Sequence, residues 1–253
     1  MGFCEGFGRA EEWHEIKGKH FVVFYRQDED KTAARKVLRK AEGYYKKIGA
    51  QIGYTRYSQF WTWDERVKII LFHDQQTFMK ETGHPNWLLG YSSRDEQVLK
   101  SKVIVTYKQE ANFFTGFLPH EISHLILGDF LHPRLVPLWF DEGVAQLQEV
   151  NKSAMTDSMM RVLVRKGQTI PFEQLTCVTD IRLEKDPNKV MIFYSQSLSV
   201  VEFLIKRYGI NAFRQLCRNL KDVSFEKALK KAYLNQLMSI ADLERQWIKY
   251  MGD

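Results

Sequence analysis

The sequence predicts an α+β fold: a small mixed α/β lobe at the N-terminus followed by a mostly helical C-terminal part. Two observations carry this. Apolar, β-branched runs alternate with charged helical stretches up to about Tyr107, and from Pro119 onward the apolar residues recur almost entirely at helical spacing. With 253 residues, 44% of them hydrophobic, the chain can bury a large core of its own.

His20 to Tyr25 (HFVVFY) reads as a strand, and the charged stretch from about Asp30 to Ile52 as a long helix. Val67 to Phe72 (VKIILF) repeats the strand. It leads through His73 and Asp74 into a short helix over Gln75 to Thr82, closed by Gly83. Two further strands are expected around Leu89 to Ser92 and over Lys102 to Tyr107 (KVIVTY). Pro119 suits a first helical turn, and Ile122, Leu125 and Ile126 continue the helical spacing until Pro133 and Pro137 interrupt it. A second helix is expected from about Asp141 to Val150. More follow near Ser153 to Lys166, Tyr194 to Tyr208, Ile210 to Leu220, Phe225 to Leu234 and Ile240 to Met251. The expected organisation is an extension over residues 1–19, an α/β lobe with the chemistry-bearing helices over 20–150, and a helical lobe over 151–253, together one continuous domain.

Composition narrows the function. The net charge of +6 is spread along the chain, and clusters such as Lys31 to Lys40 and Lys227 to Lys231 fall in helical segments, where a solvated face accounts for them. No nucleic-acid partner is inferred. Cys4, Cys177 and Cys217 are odd in number and widely spaced, giving neither a disulfide framework nor a thiolate metal site. No apolar run has the roughly 20 residues of a membrane span, and Met1 to Trp13 lacks the basic and apolar regions of a signal peptide. The expectation is a soluble, cytoplasmic protein, exported only if an upstream signal precedes this start; the sequence leaves oligomeric state open.

The chemistry gathers at His120-Glu121-Ile122-Ser123-His124, an H-E-x-x-H pattern. On a helix its two histidines project from one face a turn apart and can share one metal ion. Glu121 adjoins the first ligand and can reach a water on that ion without binding the ion itself, as a general base requires. The apolar flanks Phe117, Leu118, Leu125, Ile126 and Leu127 make this an inward-facing helix, where such polar groups are costly unless paired or metal-bound. Eighteen residues after His124, Trp139-Phe140-Asp141-Glu142-Gly143-Val144-Ala145 presents a further carboxylate. A catalytic zinc takes three protein ligands and leaves a position for water, and His120, His124 and Glu142 complete one of the established sets for a single Zn²⁺. Gly143 and Ala145 are small enough to let their helix press against the first. Asp141 reads as a helix N-cap or as an acceptor behind the ligands.

HEISH followed by WFDEGVA resembles the gluzincin branch of zinc metallopeptidases, the peptidase MA-like group in particular. The likeness takes in Gly90-Tyr91-Ser92, Tyr194-Ser195-Gln196-Ser197 running into VVEFLIKRYG, and Leu243-Glu244-Arg245-Gln246-Trp247, so that it covers nearly the whole chain from about His20. The resemblance implies a thermolysin-like zincin fold, with an edge strand over the active-site helix along which a peptide or protein substrate lies. It makes Tyr194, just ahead of a helix, the candidate for stabilising the oxyanion, a core aromatic being the alternative. Two departures stand out. The GAMEN-type motif of the aminopeptidase N group is absent, the region reading Leu89-Gly90-Tyr91-Ser92-Ser93, which favours an endopeptidase. Gln146 takes the place of the aspartate in the thermolysin-type ExxxD, leaving Glu149 or Asp129 to back a ligand histidine. The expected activity is peptide-bond hydrolysis; the alternatives are a non-catalytic binding or scaffold protein on the same fold and a metallohydrolase of a non-peptide amide.

Overall fold

The computed structural model describes residues 13–54, 61, 65–86, 88–95, 101–108, 112–150, 152–234 and 236–253. It is α+β, with a small sheet in the N-terminal region and helices beyond. The expected fold class therefore holds. Two compact units divide the chain, one of Met1–Lys46 and Arg56–Leu125, the other of Lys47–Thr55 and Ile126–Asp253.

The first unit is built on a five-stranded sheet of order β1-β2-β3-β5-β4. Its strands are β1 (His14–Lys17), β2 (Phe21–Tyr25), β3 (Val67–Phe72), β4 (Gly90–Asp95) and β5 (Ser101–Tyr107). β2, β3 and β5 run parallel, and β1 and β4 are antiparallel edges. The central strands carry near-continuous apolar runs, as parallel strands covered on both faces do. In β3 Val67, Ile69, Ile70, Leu71 and Phe72 are all buried. β1 was not expected from the sequence. Its residues His-Glu-Ile-Lys are mostly exposed and hold their place by register with β2, Ile16 opposite Val23, rather than by burying a face.

Helix α1 (Lys31–Ile52) follows β2 and buries Ala34, Val37, Ala41, Tyr45, Ile48 and Ile52 along one stripe. Helix α2 (Gln75–Thr82) follows β3. Asp74 caps it by accepting the Thr77 amide at 2.8 Å, and its Phe78 joins Ile70, Phe72, Val103, Val105 and Tyr107 in one apolar cluster. β4 begins at Gly90, whose φ of +152° is out of reach for most side chains. A Cβ there would lie 2.5 Å from both Phe117 Cζ and the Val105 carbonyl oxygen, so only glycine lets the edge strand come this near to the chain entering the next helix.

That helix is α3 (Leu118–Leu131), preceded by one wide π-type turn over Phe113–Phe117. The helices that follow are α4 (Leu138–Gln146), α5 (Lys152–Arg165), α6 (Phe172–Cys177), α7 (Pro187–Tyr208), α8 (Ile210–Asn219), α9 (Phe225–Ala232) and α10 (Ile240–Gly252). At the centre of the second unit lies α7, apolar nearly all round, with Phe193, Leu198, Val200, Val201, Phe203 and Leu204 buried. Its buried polar groups find partners. Gln196 bonds both the amide and the carbonyl of Ile170, and Ser199 Oγ accepts the Trp247 indole at 3.0 Å.

Two expectations about these helices are corrected, and one helix was not expected. α7 begins at Pro187 with Asp186 as its cap, seven residues before Tyr194; the polar first turn Pro-Asn-Lys gives no apolar periodicity to read. α4 begins at Leu138 and ends at Gln146, with Pro137 at the N-cap, so Asp141 lies in the first turn of the helix and not at its N-cap. Finally α6, one and a half turns anchored by buried Phe172 and Leu175, is too short to announce itself by periodicity. Among the described residues no helix is long and apolar enough to cross a membrane.

Candidate metal centre

α3 sets out two histidines by its own geometry. Leu118, Ile122, Leu125 and Ile126 are buried at helical spacing and fix the rotation of the helix about its axis. His120, Glu121 and His124 are left half-buried between that apolar stripe and solvent. The two imidazoles meet edge to face with ring centroids 4.7 Å apart, and their Nε2 atoms are 3.0 Å from each other.

The third group comes from α4, whose position follows from what it packs on. Trp139 lies against Phe172 and Phe225, and Phe140 against Phe213 and Phe225. One residue past Glu142, a Cβ at Gly143 would sit 2.4 Å from the Ser197 carbonyl oxygen and 2.7 Å from Val201 Cγ2. Gly143 therefore lets α4 press on the backbone of α7. The sequence suggested that Gly143 and Ala145 let α4 press on α3; the nearest atoms to a Cβ at Gly143 belong to α7 instead. One turn past Glu142, Gln146 is buried and donates through Nε2 to the Tyr194 carbonyl at 2.9 Å, a second tie to α7.

One ligand atom from each of His120, His124 and Glu142 lies within 4.8 Å of the others. The donor set fits zinc. Two nitrogens bound at roughly 2.0–2.1 Å to a tetrahedral ion lie about 3.3 Å apart, and the Nε2 atoms are already 3.0 Å apart. Two imidazoles and one carboxylate leave a fourth position open, as catalytic zinc sites do.

The other residues singled out from the sequence fall as follows. Glu121, beside His120, is half-buried on α3. Tyr194 sits in the third turn of α7 rather than ahead of a helix. The Glu149 carboxylate takes the Lys152 ammonium at 2.9 Å, and Asp129 is on the last turns of α3. Cys177 is exposed and Cys217 buried, the thiol of the latter pushed well up by desolvation; Cys4 lies outside the described residues. Sequence reasoning missed Gln146 as a tie between helices. The signal was there, a polar residue four positions after Glu142 and so on the same face of α4.

No curated protein matches this chain. The family model described as Peptidase MA superfamily matches residues 65–252, a span that holds both motif helices and all of the helices after them. On that match the chain belongs to the peptidase MA superfamily, whose members point to a metallopeptidase-like function.

Proposed function

We propose that this protein is a zinc-dependent peptidase in which His120, His124 and Glu142 hold one ion and Glu121 is the general base. The observation that carries the reading is the convergence of the two Nε2 atoms and a Glu142 oxygen, with Glu121 next to the first histidine on α3. Bound zinc would supply a Lewis acid and lower the pKa of water towards about 7. Glu121 accepts the proton of the attacking water as its oxygen bonds the scissile carbonyl carbon. The same carboxyl then gives that proton to the amine as the C–N bond breaks. Tyr194 is the proposed oxyanion donor, positioned through the bond from Gln146 to its carbonyl.

The substrate would be a peptide or protein lying extended along β4, which is an edge strand of the sheet among the described residues. Cleavage within chains is favoured over removal of terminal residues, because the segment Leu89 to Ser93 lacks the GAMEN-type sequence.

The test is metal content by elemental analysis of wild type, Glu142→Ala and Glu121→Gln, beside hydrolysis of a broad peptide library. Wild type and Glu121→Gln should each retain about one zinc, Glu142→Ala should lose it, and only wild type should cleave. A wild type that holds no zinc at this site removes the reading. One that holds zinc and cleaves nothing is a binding protein on a peptidase fold.

A further inference from the structure

A second group of charged side chains gathers in the first unit, at the carboxyl ends of the three parallel strands. Glu29 and Asp30 close the turn after β2, His73 directly follows β3, and Lys108 directly follows β5. In sheets with parallel strands this end is where ligands bind. The Asp30 side chain is 1% exposed; its oxygens lie 3.0 and 3.1 Å from His73 Nδ1, and Oδ1 also takes the Lys108 ammonium at 2.9 Å. On the opposite side of the ring, His73 Nε2 is 3.3 Å from Glu29 Oε1. Asp74, the α2 cap, is a further charged neighbour among the described residues, and its carboxylate is taken up by the Thr77 amide.

The hydrogen-bond inventory makes this arrangement unusual. An ionised carboxylate only accepts, so the contact with Asp30 places the ring hydrogen on Nδ1. The Nε2 lone pair then faces Glu29, which is also only an acceptor. Two acceptors 3.3 Å apart need a cation between them, a proton or a metal ion. A nitrogen and an oxygen bound to one tetrahedral zinc lie about 3.3 Å apart, the separation found here. A buried carboxylate orienting the far nitrogen of a ligand histidine is the usual support of such a site. Lys108 lies on the Nδ1 side, 3.5 Å from that atom, where its ammonium neutralises Asp30.

We propose that Glu29 and His73 form a second site for a divalent transition-metal ion such as zinc, with Asp30 orienting the ring and water completing the coordination. Two protein ligands, one of them on a largely exposed glutamate, make it an exchangeable site. It joins the turn after β2 to the end of β3. The inference does not depend on the function proposed above, because no residue is shared.

Full-length wild type, carrying whatever metal survives extensive dialysis, is titrated with zinc chloride by calorimetry beside Glu29→Gln and His73→Gln. Wild type should take up one equivalent more than either variant, or bind that equivalent at least tenfold more tightly. The metal retained through dialysis and any peptide hydrolysis should be the same in all three. Equal uptake by wild type and both variants overturns the proposal and leaves a proton as the cation beside Glu29. Because the readout is the difference between wild type and the variants, it survives a failure at His120, His124 and Glu142, which would show instead as no metal retained in any of them.

Discussion

Two of the histidine-carboxylate groups among the described residues, the one on α3 and α4 and the one at the strand ends, differ in what stands beside the ring nitrogens. On α3 and α4 the Nε2 atoms of His120 and His124 face each other, with a Glu142 oxygen near both. At the strand ends His73 is held between Asp30 and Glu29, and Lys108 already supplies a cation to Asp30. Two imidazole nitrogens and a carboxylate oxygen set this close together are a donor set that one metal ion can join, whereas a carboxylate paired with an ammonium group has most of its charge compensated. The first arrangement is therefore suited to hold an ion through purification. The second would hold one only when the ion is supplied.

Substitution of the two sets should separate them widely. Glu121→Gln is expected to lower kcat for peptide hydrolysis by about 10²- to 10⁴-fold, the usual worth of a general base, while zinc stays bound. Glu29→Gln should leave kcat as it is. Steady-state kinetics on one cleaved peptide decides this, and a comparable loss in both variants would erase the distinction between the groups.

The difference also explains what could be read from the sequence. The α3 pair is written in five consecutive residues, because a helix brings positions four apart onto one face, and Glu142 follows in a context that pairs a carboxylate with small residues. The strand-end group joins residues 29, 30, 73 and 108, and only the parallel pairing of β2, β3 and β5 brings them together. Its trace is a polar residue directly after an apolar strand, which every strand end shows. The same reasoning covers the elements. β2, β3 and β5 were legible as apolar runs, while β1, with no buried face, exists through its pairing alone. The partner of Gly143 was misread for a related reason: a glycine announces a close approach and carries no information on which helix approaches.

That close approach supplies the next test. A methyl group at position 143 would meet the backbone of α7 at Ser197, which cannot step aside as a side chain can. Gly143→Ala should cost about 1–3 kcal/mol, the range for overpacking a filled core, seen as a lower midpoint in urea. Because Glu142 precedes it, the same variant should hold zinc less tightly in competition with a chelator. Zinc affinity equal to that of wild type, in a destabilised protein, would mean that the position of α4 against α7 does not govern the presentation of Glu142.

The smallest effect is expected at Asp74, beside His73 but outside its cluster. Its carboxylate accepts the Thr77 amide, the main reason that its pKa lies below the ordinary 3.8. A carboxyl whose pKa is depressed by folding contributes stability above the unfolded value. That contribution is lost as the pH falls through the lower, folded one. Asp74→Ala should therefore cost about 0.5–2 kcal/mol near neutrality, the range for removing an N-cap. The gap between variant and wild type should close as pH falls below 3.8. Asp74→Asn keeps an acceptor for Thr77 and should retain most of the stability at neutral pH while losing the pH dependence. Denaturation midpoints for the three proteins between pH 2 and 7 would show this, and a gap of constant size across that range would mean that the charged carboxylate is not what caps α2. Zinc should not change the gap, since the cap and the Glu29–His73 pair share no ligand atom; a zinc-dependent gap would place Asp74 within the strand-end site.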